Sequence, residues 1–378
     1  VVKRSRGVAD SLNKGVAGLM KKHKVTVVEG TGKITAVGKV TVEKDGKTSV
    51  LEGKNILIAT GARAREMPKA KADGKRIWTY RHALVPTEKP TKLLVVGSGA
   101  IGIEFASFYS DLGAKVTVVE MMDRILPVED AEGSAGMEKS LTKGGLKILT
   151  RAGVSKIETD DKGVKATIKD KDGKESVEEF SHVIVAIGIV PNVENLGLED
   201  VGVEPDKRFH INVDGYGRTN VPGIFAIGDV TAGPWLAHKA MHEAVVCVEA
   251  MAGGHPHEMD VNNIPGCTYS RPQVASVGLT EAKAKEAGYE VKVGKFPFIG
   301  NGKAIALGET EGFVKTVFDA KTGELLGAHM VGAEVTEMIQ GYVVGKTLET
   351  TEVELMGTVF PHPTISEAMH EGVLAAYG

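Results

Sequence analysis

A glycine-rich turn between an apolar strand and a helix most constrains what this chain can fold into. The apolar run Lys92–Val96 leads into Gly97-Ser98-Gly99-Ala100-Ile101-Gly102, where a helical pattern begins. In such a turn the first glycine permits a sharp bend, the second lets backbone approach a pyrophosphate, and the third allows close helix–strand packing. N–H groups at the helix N-terminus favour the anion. The pattern predicts a dinucleotide-binding βαβ unit, with cofactor contacts at Gly97, Gly99 and Gly102.

An acidic residue ends the second strand of this unit. The apolar strand Lys115–Val119 is followed by Glu120, eighteen residues after Gly102. A carboxylate there accepts hydrogen bonds from ribose hydroxyls and repels a 2′-phosphate, which favours NAD over NADP. Gly188 follows another apolar strand. In sheets of this kind the ligand crevice lies at the carboxyl ends of the strands. We predict cofactor contacts at both residues; the alternatives are an exposed acid and an ordinary loop glycine.

A second glycine-containing motif resembles a sugar-binding turn. The apolar strand Gly223–Ile227 runs into Gly228-Asp229, and Leu236-Ala237-His238 then opens a helix. Glycine allows close approach of a ligand, and the Asp229 carboxylate can accept a hydrogen bond from a hydroxyl. A turn or capping role for Asp229 and a packing role for His238 remain open.

A histidine stands before the last helix, with a carboxylate five residues later. His362 lies between two prolines, and Glu367 could orient its imidazole. An imidazole is suited to take a proton from a thiol. The alternative is a turn histidine beside a helix capped by Thr364 or Ser366. Glu104 is expected in the first turn of its helix, where a surface acid complementing the dipole is the simpler explanation.

Charge and cysteine content exclude several functional classes. The 46 basic and 49 acidic residues give a net charge of −3, which argues against nucleic acid or an anionic membrane surface as the main partner. The two cysteines exclude a disulfide scaffold and a cysteine-ligated metal centre, and no metal site is predicted. No membrane span or signal peptide is recognisable. Glycine, at 47 of 378 residues, is well above the usual ~7%.

The order of predicted elements indicates an α/β protein of four segments. Residues 1–24 form a basic amphipathic helix with a solvated lysine face, and strands are expected at Val25–Val28, Lys33–Val42 and Val50–Thr60. Residues 65–92 are interpreted as a linker. A helix near 237–252 is expected to pack through a stripe of Met241, Ala244, Val245, Val248 and Ala252. Hairpin turns are predicted at 44–47, 170–173 and 319–323, and the last helices at about 333–348 and 366–377.

Together these motifs resemble the pyridine nucleotide–disulfide oxidoreductases along the whole chain. The run Ile56–Gly61 resembles the segment of that family beside the flavin adenosine, and Leu236–Ala240, Gly294–Phe298 and Thr358–Glu367 resemble the branch that oxidises dihydrolipoyl groups with NAD⁺. The implied fold has three-layer Rossmann-like nucleotide-binding domains with a β-meander and a C-terminal α+β dimerisation domain. The implied boundaries are 1–85 and 193–260 for the two parts of the FAD domain, 86–192 for NAD, and 261–378 for dimerisation.

The resemblance implies a role for each candidate residue. FAD and NAD would be the cofactors, with Thr60, Gly61, Asp229, Ala237 and His238 at FAD and Glu104 near the nicotinamide. His362 would be the acid–base, held by Glu367 and serving the partner subunit of a homodimer. Dihydrolipoyl groups on the lipoyl domains of a 2-oxoacid dehydrogenase complex would be the substrate. A bacterial cytoplasm or a mitochondrial matrix would be the location.

The sequence departs from the family at two places. Ile189-Val190 replace the usual basic residues after Gly188. The first flavin fingerprint and the redox pair of cysteines separated by four residues do not occur in the 378 residues, and Cys247 and Cys267 are interpreted as inert structural thiols. We expect on the order of 100 residues to precede Val1, about one small domain. Another disulfide reductase or NADH-dependent flavoprotein of this fold, or a non-catalytic nucleotide-binding and dimerisation module, remain alternatives.

Overall fold

A computed structural model describes residues 1–68 and 70–378. The chain forms two compact units, each described here by itself. Unit 1 comprises Val1–Arg63, Leu84–Pro86 and Ile189–Met259, and unit 2 comprises Ala64–Ala83, Thr87–Gly188 and Asp260–Gly378. Within the described ranges, no helix combines the length and the apolar character needed to cross a membrane.

The strands, in chain order, are β1 (Thr31–Ala36), β2 (Lys39–Lys44), β3 (Lys47–Glu52), β4 (Ile56–Ile58), β5 (Ala62–Ala64), β6 (Ile77–Trp78), β7 (Lys92–Val96), β8 (Lys115–Val119), β9 (Lys147–Leu149), β10 (Gly153–Thr159), β11 (Val164–Lys169), β12 (Glu175–Phe180), β13 (His182–Val185), β14 (Ile189–Pro191), β15 (Ile224–Ala226), β16 (Gly266–Thr268), β17 (Gln273–Gly278), β18 (Val291–Pro297), β19 (Phe313–Asp319) and β20 (Leu325–Gly332). The α-helices are α1 (Val2–Lys22), α2 (Tyr80–Ala83), α3 (Ala100–Asp111), α4 (Ala131–Lys143), α5 (Ala237–Met251), α6 (Glu281–Glu286), α7 (Gly302–Leu307), α8 (Val335–Thr347), α9 (Glu352–Gly357) and α10 (Glu367–Tyr377).

Unit 2 contains a five-stranded parallel sheet in the order β6-β13-β7-β8-β9. Its central strands are apolar along their whole length because both faces are covered, as parallel sheets require. Leu93, Leu94 and Val95 of β7 are fully buried, and Ile103 and Ala106 of α3 pack in the same unit's core. The antiparallel sheet β10-β11-β12 follows β9. This arrangement confirms the predicted βαβ unit and its meander.

The C-terminal part of unit 2 is an antiparallel sheet with helices. Its strand order is β16-β17-β20-β19-β18. Both β19 and β20 are buried throughout, and α8 and α10 contribute Met338, Tyr342 and Met369 to the core over the sheet. The α+β architecture predicted for this end of the chain is therefore confirmed.

Two small sheets of unit 1 share one core. β1, β2 and β3 form an antiparallel meander, and β4 pairs in parallel with β15. Their common core contains Ile34, Ile58, Ile224 and Val230. The parallel pair brings the carboxyl ends of β4 and β15 to the same edge, which matters for the site described below.

Several predicted local structures match the structure closely. The strands predicted at Lys92–Val96 and Lys115–Val119 have those bounds, and the three hairpin turns connect β2 to β3, β11 to β12, and β19 to β20. Helices α8 and α10 begin and end within two residues of the helices predicted at 333–348 and 366–377, whereas α9, between them, was not predicted. Strong periodicity and turn-forming residues fix these elements locally.

Several local predictions were wrong. The strand expected at Lys33–Val42 is divided between β1 and β2 by a turn at 37–38, and the strand expected at Val50–Thr60 covers only the end of β3 and then β4. Residues 25–28 form no strand, and the expected linker at 65–92 contains β6 and α2, with Trp78 only 1% exposed in the core of unit 2. The expected packing stripe of α5 also faces outward: Met241, Val245 and Val248 are at least half exposed, whereas Lys239, Val246 and Cys247 are buried. Phe225 and Ile227 pack against the Cys247 face, so the neighbouring strand selects the face that is buried.

The N-terminal helix α1 is not packed into a core. α1 has no buried residue, and Val8, Leu12, Val16 and Leu19 are each at least half exposed. The predicted helix and its solvated basic face are therefore present, with the apolar positions also exposed.

Candidate cofactor and acid–base sites

The glycine turn after β7 has no room for side chains at its first and third glycines. Gly97 has φ +97°, and a Cβ there would lie 2.3 Å from the Ala186 carbonyl oxygen. A Cβ at Gly102 would lie 2.0 Å from the Gly97 carbonyl oxygen. The first glycine thus allows the bend beside β13, and the third allows α3 to approach the turn.

The second glycine has different surroundings, which suit a ligand. A Cβ at Gly99 would meet no atom within 4 Å, and Gly99 is the N-cap residue of α3 without a side-chain capping bond. The first-turn N–H groups of this 12-residue helix therefore remain directed at the open side of the turn. Open space and N–H donors together fit a pyrophosphate.

Glu120 is an internal part of the same turn. It is 8% exposed, and one carboxylate oxygen accepts hydrogen bonds from the Ser98 N–H (2.9 Å) and hydroxyl (2.6 Å). The other oxygen accepts the Met122 N–H at 2.8 Å. Three of the roughly four acceptor positions of the carboxylate are thus used, and one remains, on the oxygen that accepts the Met122 N–H, for a ribose hydroxyl. Glu120 therefore links the phosphate-binding turn to the position expected for the ribose.

Glu104 lies outside the first helical turn, contrary to the expectation of simple dipole complementation. The first turn of α3 contains no acid, and the Glu104 carboxylate accepts the Tyr269 N–H at 2.9 Å. Burial raises the pKa of Glu104, and the Tyr269 N–H opposes that rise. A half-buried carboxylate of this kind is typical of functional sites.

Gly188 lies three residues beyond β13, which pairs with β7 next to the glycine turn. Gly188 has φ +109°, and its carbonyl accepts the Arg65 N–H at 2.9 Å. The Arg65 Nε would lie 3.8 Å from a Cβ at Gly188. The Arg65 side chain, from a distant part of the sequence, therefore lies beside Gly188.

In unit 1, two motifs meet at one sheet edge. Thr60 and Gly61 follow β4, and Gly228 and Asp229 follow β15. The Thr60 hydroxyl donates to the Asn192 carbonyl at 2.7 Å, and the Asn192 side-chain amide donates back to the Thr60 carbonyl at 3.0 Å. Gly61 has φ +68° with open space around it. Carboxyl ends of parallel strands are the usual position of a ligand.

Asp229 lies in a short 3₁₀ turn, Gly228–Val230, at that edge. Burial raises the pKa of its carboxyl group, Lys239 opposes that rise and Glu243 adds to it. Ala237 and His238 are exposed in the first turn of α5, whose N-cap Leu236 provides no side-chain cap. The Asp229 carboxylate and the N–H groups at the α5 N-terminus fit a ligand that carries hydroxyls and an electron-rich ring.

The C-terminal pair of His362 and Glu367 is in direct contact. His362 Nδ1 lies 2.9 Å from Glu367 Oε1, and the imidazole is 79% exposed. The other Glu367 oxygen accepts the Thr364 N–H at 2.9 Å. This N–H and His362 both lower the pKa of Glu367. Ser366 is the N-cap residue of α10 but forms no side-chain cap, so Glu367 takes over the polar contacts at this helix start.

The two cysteines are free thiols in different surroundings. Cys247 is buried in α5, and Cys267 is partly buried within β16. Burial raises the pKa of both thiols, which lowers their thiolate fraction. Across residues 1–68 and 70–378, no group of three or more His, Cys, Asp or Glu side chains is arranged to hold a metal ion.

Sequence reasoning missed several polar residues of these sites, namely Ser98, Asn192, Lys239 and Glu243. Asn192 reaches Thr60 across more than 130 positions, for which the sequence has no signal. Lys239 and Glu243 do have a sequence signal, because their i,i+4 spacing places them on one face of a helix.

Two family models match the chain. Residues 2–244 match the model described as pyridine nucleotide-disulphide oxidoreductase, and residues 264–373 match the dimerisation domain of that family. Members of this family use FAD and NAD(H).

Curated relatives cover the chain from end to end. A protein of Zymomonas mobilis called dihydrolipoyl dehydrogenase is 60% identical over 100% of this chain and 81% of its own length. A protein of the same name from Rhizobium etli is 56% identical over 100% of this chain and 82% of its own length. The mitochondrial dihydrolipoyl dehydrogenase 1 of Arabidopsis thaliana is 40% identical over 97% of this chain and 73% of its own length.

Solved structures show the same fold. LpdA from Mycobacterium tuberculosis superposes with a TM-score of 0.92 at 29% identity, covering 99% of this chain and 82% of that one. The HOCl-induced flavoprotein disulfide reductase RclA from Escherichia coli has a TM-score of 0.90 at 25% identity, covering 99% and 85%.

Proposed function

Since the chain belongs to the pyridine nucleotide-disulphide oxidoreductase family, we propose that the full-length protein oxidises dihydrolipoyl groups to lipoyl groups with NAD⁺ as acceptor. The relatives with 40% to 60% identity favour this reaction over another disulfide reductase and over a non-catalytic module. The observation that carries the proposal in this chain is the contact of His362 with Glu367.

His362 acts as the proton acceptor in this proposal. Glu367 is held ionised by the Thr364 N–H, so it accepts the Nδ1–H of the imidazole. That tautomer leaves Nε2 unprotonated and able to take a proton from a dihydrolipoyl thiol. The exposed imidazole is open to a substrate carried on another protein.

The cofactor residues act by binding and orienting. The α3 N-terminus and Gly99 hold the NAD pyrophosphate, Glu120 accepts a ribose hydroxyl, and Gly188 leaves room at the crevice. Thr60, Gly61, Asp229, Ala237 and His238 hold FAD. When bound, FAD and NAD⁺ together supply the two-electron acceptors of the reaction. Glu104 places a half-buried carboxylate at the nicotinamide end.

The assembly follows from the second family match. The dimerisation domain at 264–373 supports a homodimer in which His362 serves the partner's flavin. The substrate is a lipoyl domain of a 2-oxoacid dehydrogenase complex. A bacterial cytoplasm or a mitochondrial matrix is the proposed location, because both bacterial and mitochondrial proteins are among the relatives.

The test is turnover by the full-length protein. The first assay follows NADH formation from NAD⁺ and dihydrolipoamide at 340 nm. The second follows NADPH consumption with oxidised glutathione at the same wavelength. We expect turnover with the first pair and little with the second. Turnover with glutathione alone would favour another disulfide reductase, and turnover with neither would favour the non-catalytic module.

A further inference from the structure

A buried lysine lies next to the candidate flavin turn of unit 1. Lys239 on α5 is 4% exposed, and its Nζ lies 2.5 Å from Glu243 Oε1, one helical turn later. A buried ion pair costs desolvation energy and is weak evidence for a purely stabilising role. The position of this pair therefore calls for another explanation.

The second oxygen of Glu243 leads to the flavin turn itself. Glu243 Oε2 accepts the Gly228 N–H at 2.8 Å. The Gly228 carbonyl accepts the Thr231 N–H at 3.0 Å and the Thr231 hydroxyl at 2.8 Å. Gly228 has φ +74°, and a Cβ there would lie 3.3 Å from Ala240 Cβ. The N–H and the carbonyl of Gly228 are thus both hydrogen-bonded, which fixes the backbone that precedes Asp229.

The two oxygens of Glu243 have different fixed partners. The buried Lys239 ammonium contacts one of them, and the Gly228 N–H donates to the other. A charge-assisted contact of this kind fixes the orientation of the carboxylate. Because Asp229 follows Gly228 directly, the placement of its side chain depends on this pair.

We propose that Lys239 and Glu243 are positioning residues for FAD: Glu243 holds the Gly228–Asp229 turn through the Gly228 N–H, and Lys239 holds the Glu243 carboxylate in the orientation that this bond requires. This inference rests on the flavin role proposed for Asp229. It assigns a function to two residues that need not touch the cofactor.

The test measures FAD affinity of the full-length protein, reconstituted from apoprotein and followed by quenching of flavin fluorescence. We expect Lys239→Met and Glu243→Ala to raise the Kd for FAD about 10-fold to 100-fold, the range for losing a hydrogen bond to a charged group. Glu243→Gln retains an acceptor for the Gly228 N–H and should have a smaller effect. Lys239→Arg keeps a cation beside Glu243, so this variant should retain most of the FAD affinity of the unmodified protein. Glu249→Gln, the same change at an exposed position of α5, is the matched control and should leave the Kd unchanged.

A double-mutant cycle with Asp229→Asn separates positioning from general stability. If Lys239 acts through Asp229, Lys239→Met should weaken FAD binding much less in the Asp229→Asn background. An unchanged FAD Kd in Lys239→Met and Glu243→Ala, or equal effects in both backgrounds with a matching loss of apoprotein Tm, would overturn the inference alone. Failure of the unmodified protein to bind FAD, or an Asp229→Asn variant with normal affinity, would overturn the proposed flavin role and this inference with it.

Discussion

At the residue scale, Glu120 has two tasks that the sequence pattern does not separate. It is predicted to select NAD by its charge, and the structure shows that it also holds Ser98 and Met122 in the turn. Any substitution of Glu120 therefore changes both the ribose site and the phosphate-binding backbone.

We predict that Glu120→Arg shifts preference toward NADPH but weakens binding of both nucleotides. The arginine can pair with a 2′-phosphate, whereas three hydrogen bonds within the turn are lost. Titration of protein fluorescence with NADH and with NADPH measures both constants. Ser98→Ala removes one donor only, so it should weaken both nucleotides while the preference for NADH persists. Unchanged preference in Glu120→Arg would refute the ribose assignment.

The His362–Glu367 contact leads to a second prediction at this scale. His362→Gln in the full-length protein should lower kcat for dihydrolipoamide by roughly 10²- to 10⁴-fold, because a positioned acid–base group is lost. Glu367→Gln should lower kcat less, since the imidazole remains but its tautomer is no longer set by an anion. Steady-state rates with saturating NAD⁺ measure both effects. Near-normal kcat in His362→Gln would rule out the acid–base role.

At the element scale, a buried lysine of unit 2 joins three elements. Lys315 of β19 is 2% exposed and pairs with Asp130 before α4 (3.0 Å), Glu132 on α4 (2.8 Å) and Glu281 on α6 (2.8 Å). Burial alone lowers the pKa of a lysine, but these carboxylates more than offset it and the pKa is raised. The cluster ties the N-terminus of α4 and the helix α6 to β19 of the C-terminal sheet.

We predict that Lys315→Met lowers the free energy of unfolding by about 3–5 kcal/mol, since it leaves the buried Asp130 without its cation. Urea denaturation followed by circular dichroism measures the change. Lys285→Met removes an exposed partner of the same Glu281 and should cost less than about 1 kcal/mol. Equal losses in the two variants would mean that burial does not govern the strength of this cluster.

The same cluster predicts a pH dependence. Lys285 and Lys315 lower the pKa of Glu281 to about 2, from an ordinary value of 4.5. A lowered folded-state pKa means that this contribution is complete above about pH 4.5 and is lost as the pH falls toward 2. Glu281→Gln should therefore reduce stability at pH 7 but flatten its decline below pH 4.5. Tm measured from pH 7 to pH 3 tests this, and parallel curves for both proteins would contradict it.

At the scale of the whole molecule, the spacing of the two cysteines bears on whether these 378 residues can oxidise a dithiol. The 378 residues span about four fifths of the length of the curated relatives from Zymomonas mobilis and Rhizobium etli. They contain no two cysteines separated by four residues. The nucleotide turn, the Asp229 turn and the His362–Glu367 pair are nonetheless all formed.

We predict that the isolated 378-residue polypeptide binds NADH but does not oxidise dihydrolipoamide. The residues proposed to bind NADH lie within unit 2, whereas thiol oxidation of this kind needs a redox-active disulfide. Isothermal titration with NADH and the 340 nm assay measure the two properties, with the full-length protein as control. Turnover by the isolated polypeptide would show that Cys247 or Cys267 has a redox role.

The sequence by itself determined the elements whose signals are local. The glycine turn, the two flanking strands, the hairpins and the last helices follow from periodicity and turn-forming residues, and the cofactor motifs follow from their spacing. It did not predict which face of α5 is buried, that residues 65–92 contribute Trp78 to a core, or that Glu104 meets Tyr269. Only the tertiary structure decided those, because burial depends on which surface a neighbouring element presents. The links of Glu243 to Gly228 and of Lys315 to three carboxylates have the same origin: buried polar groups need partners, and the partners are chosen by proximity in space.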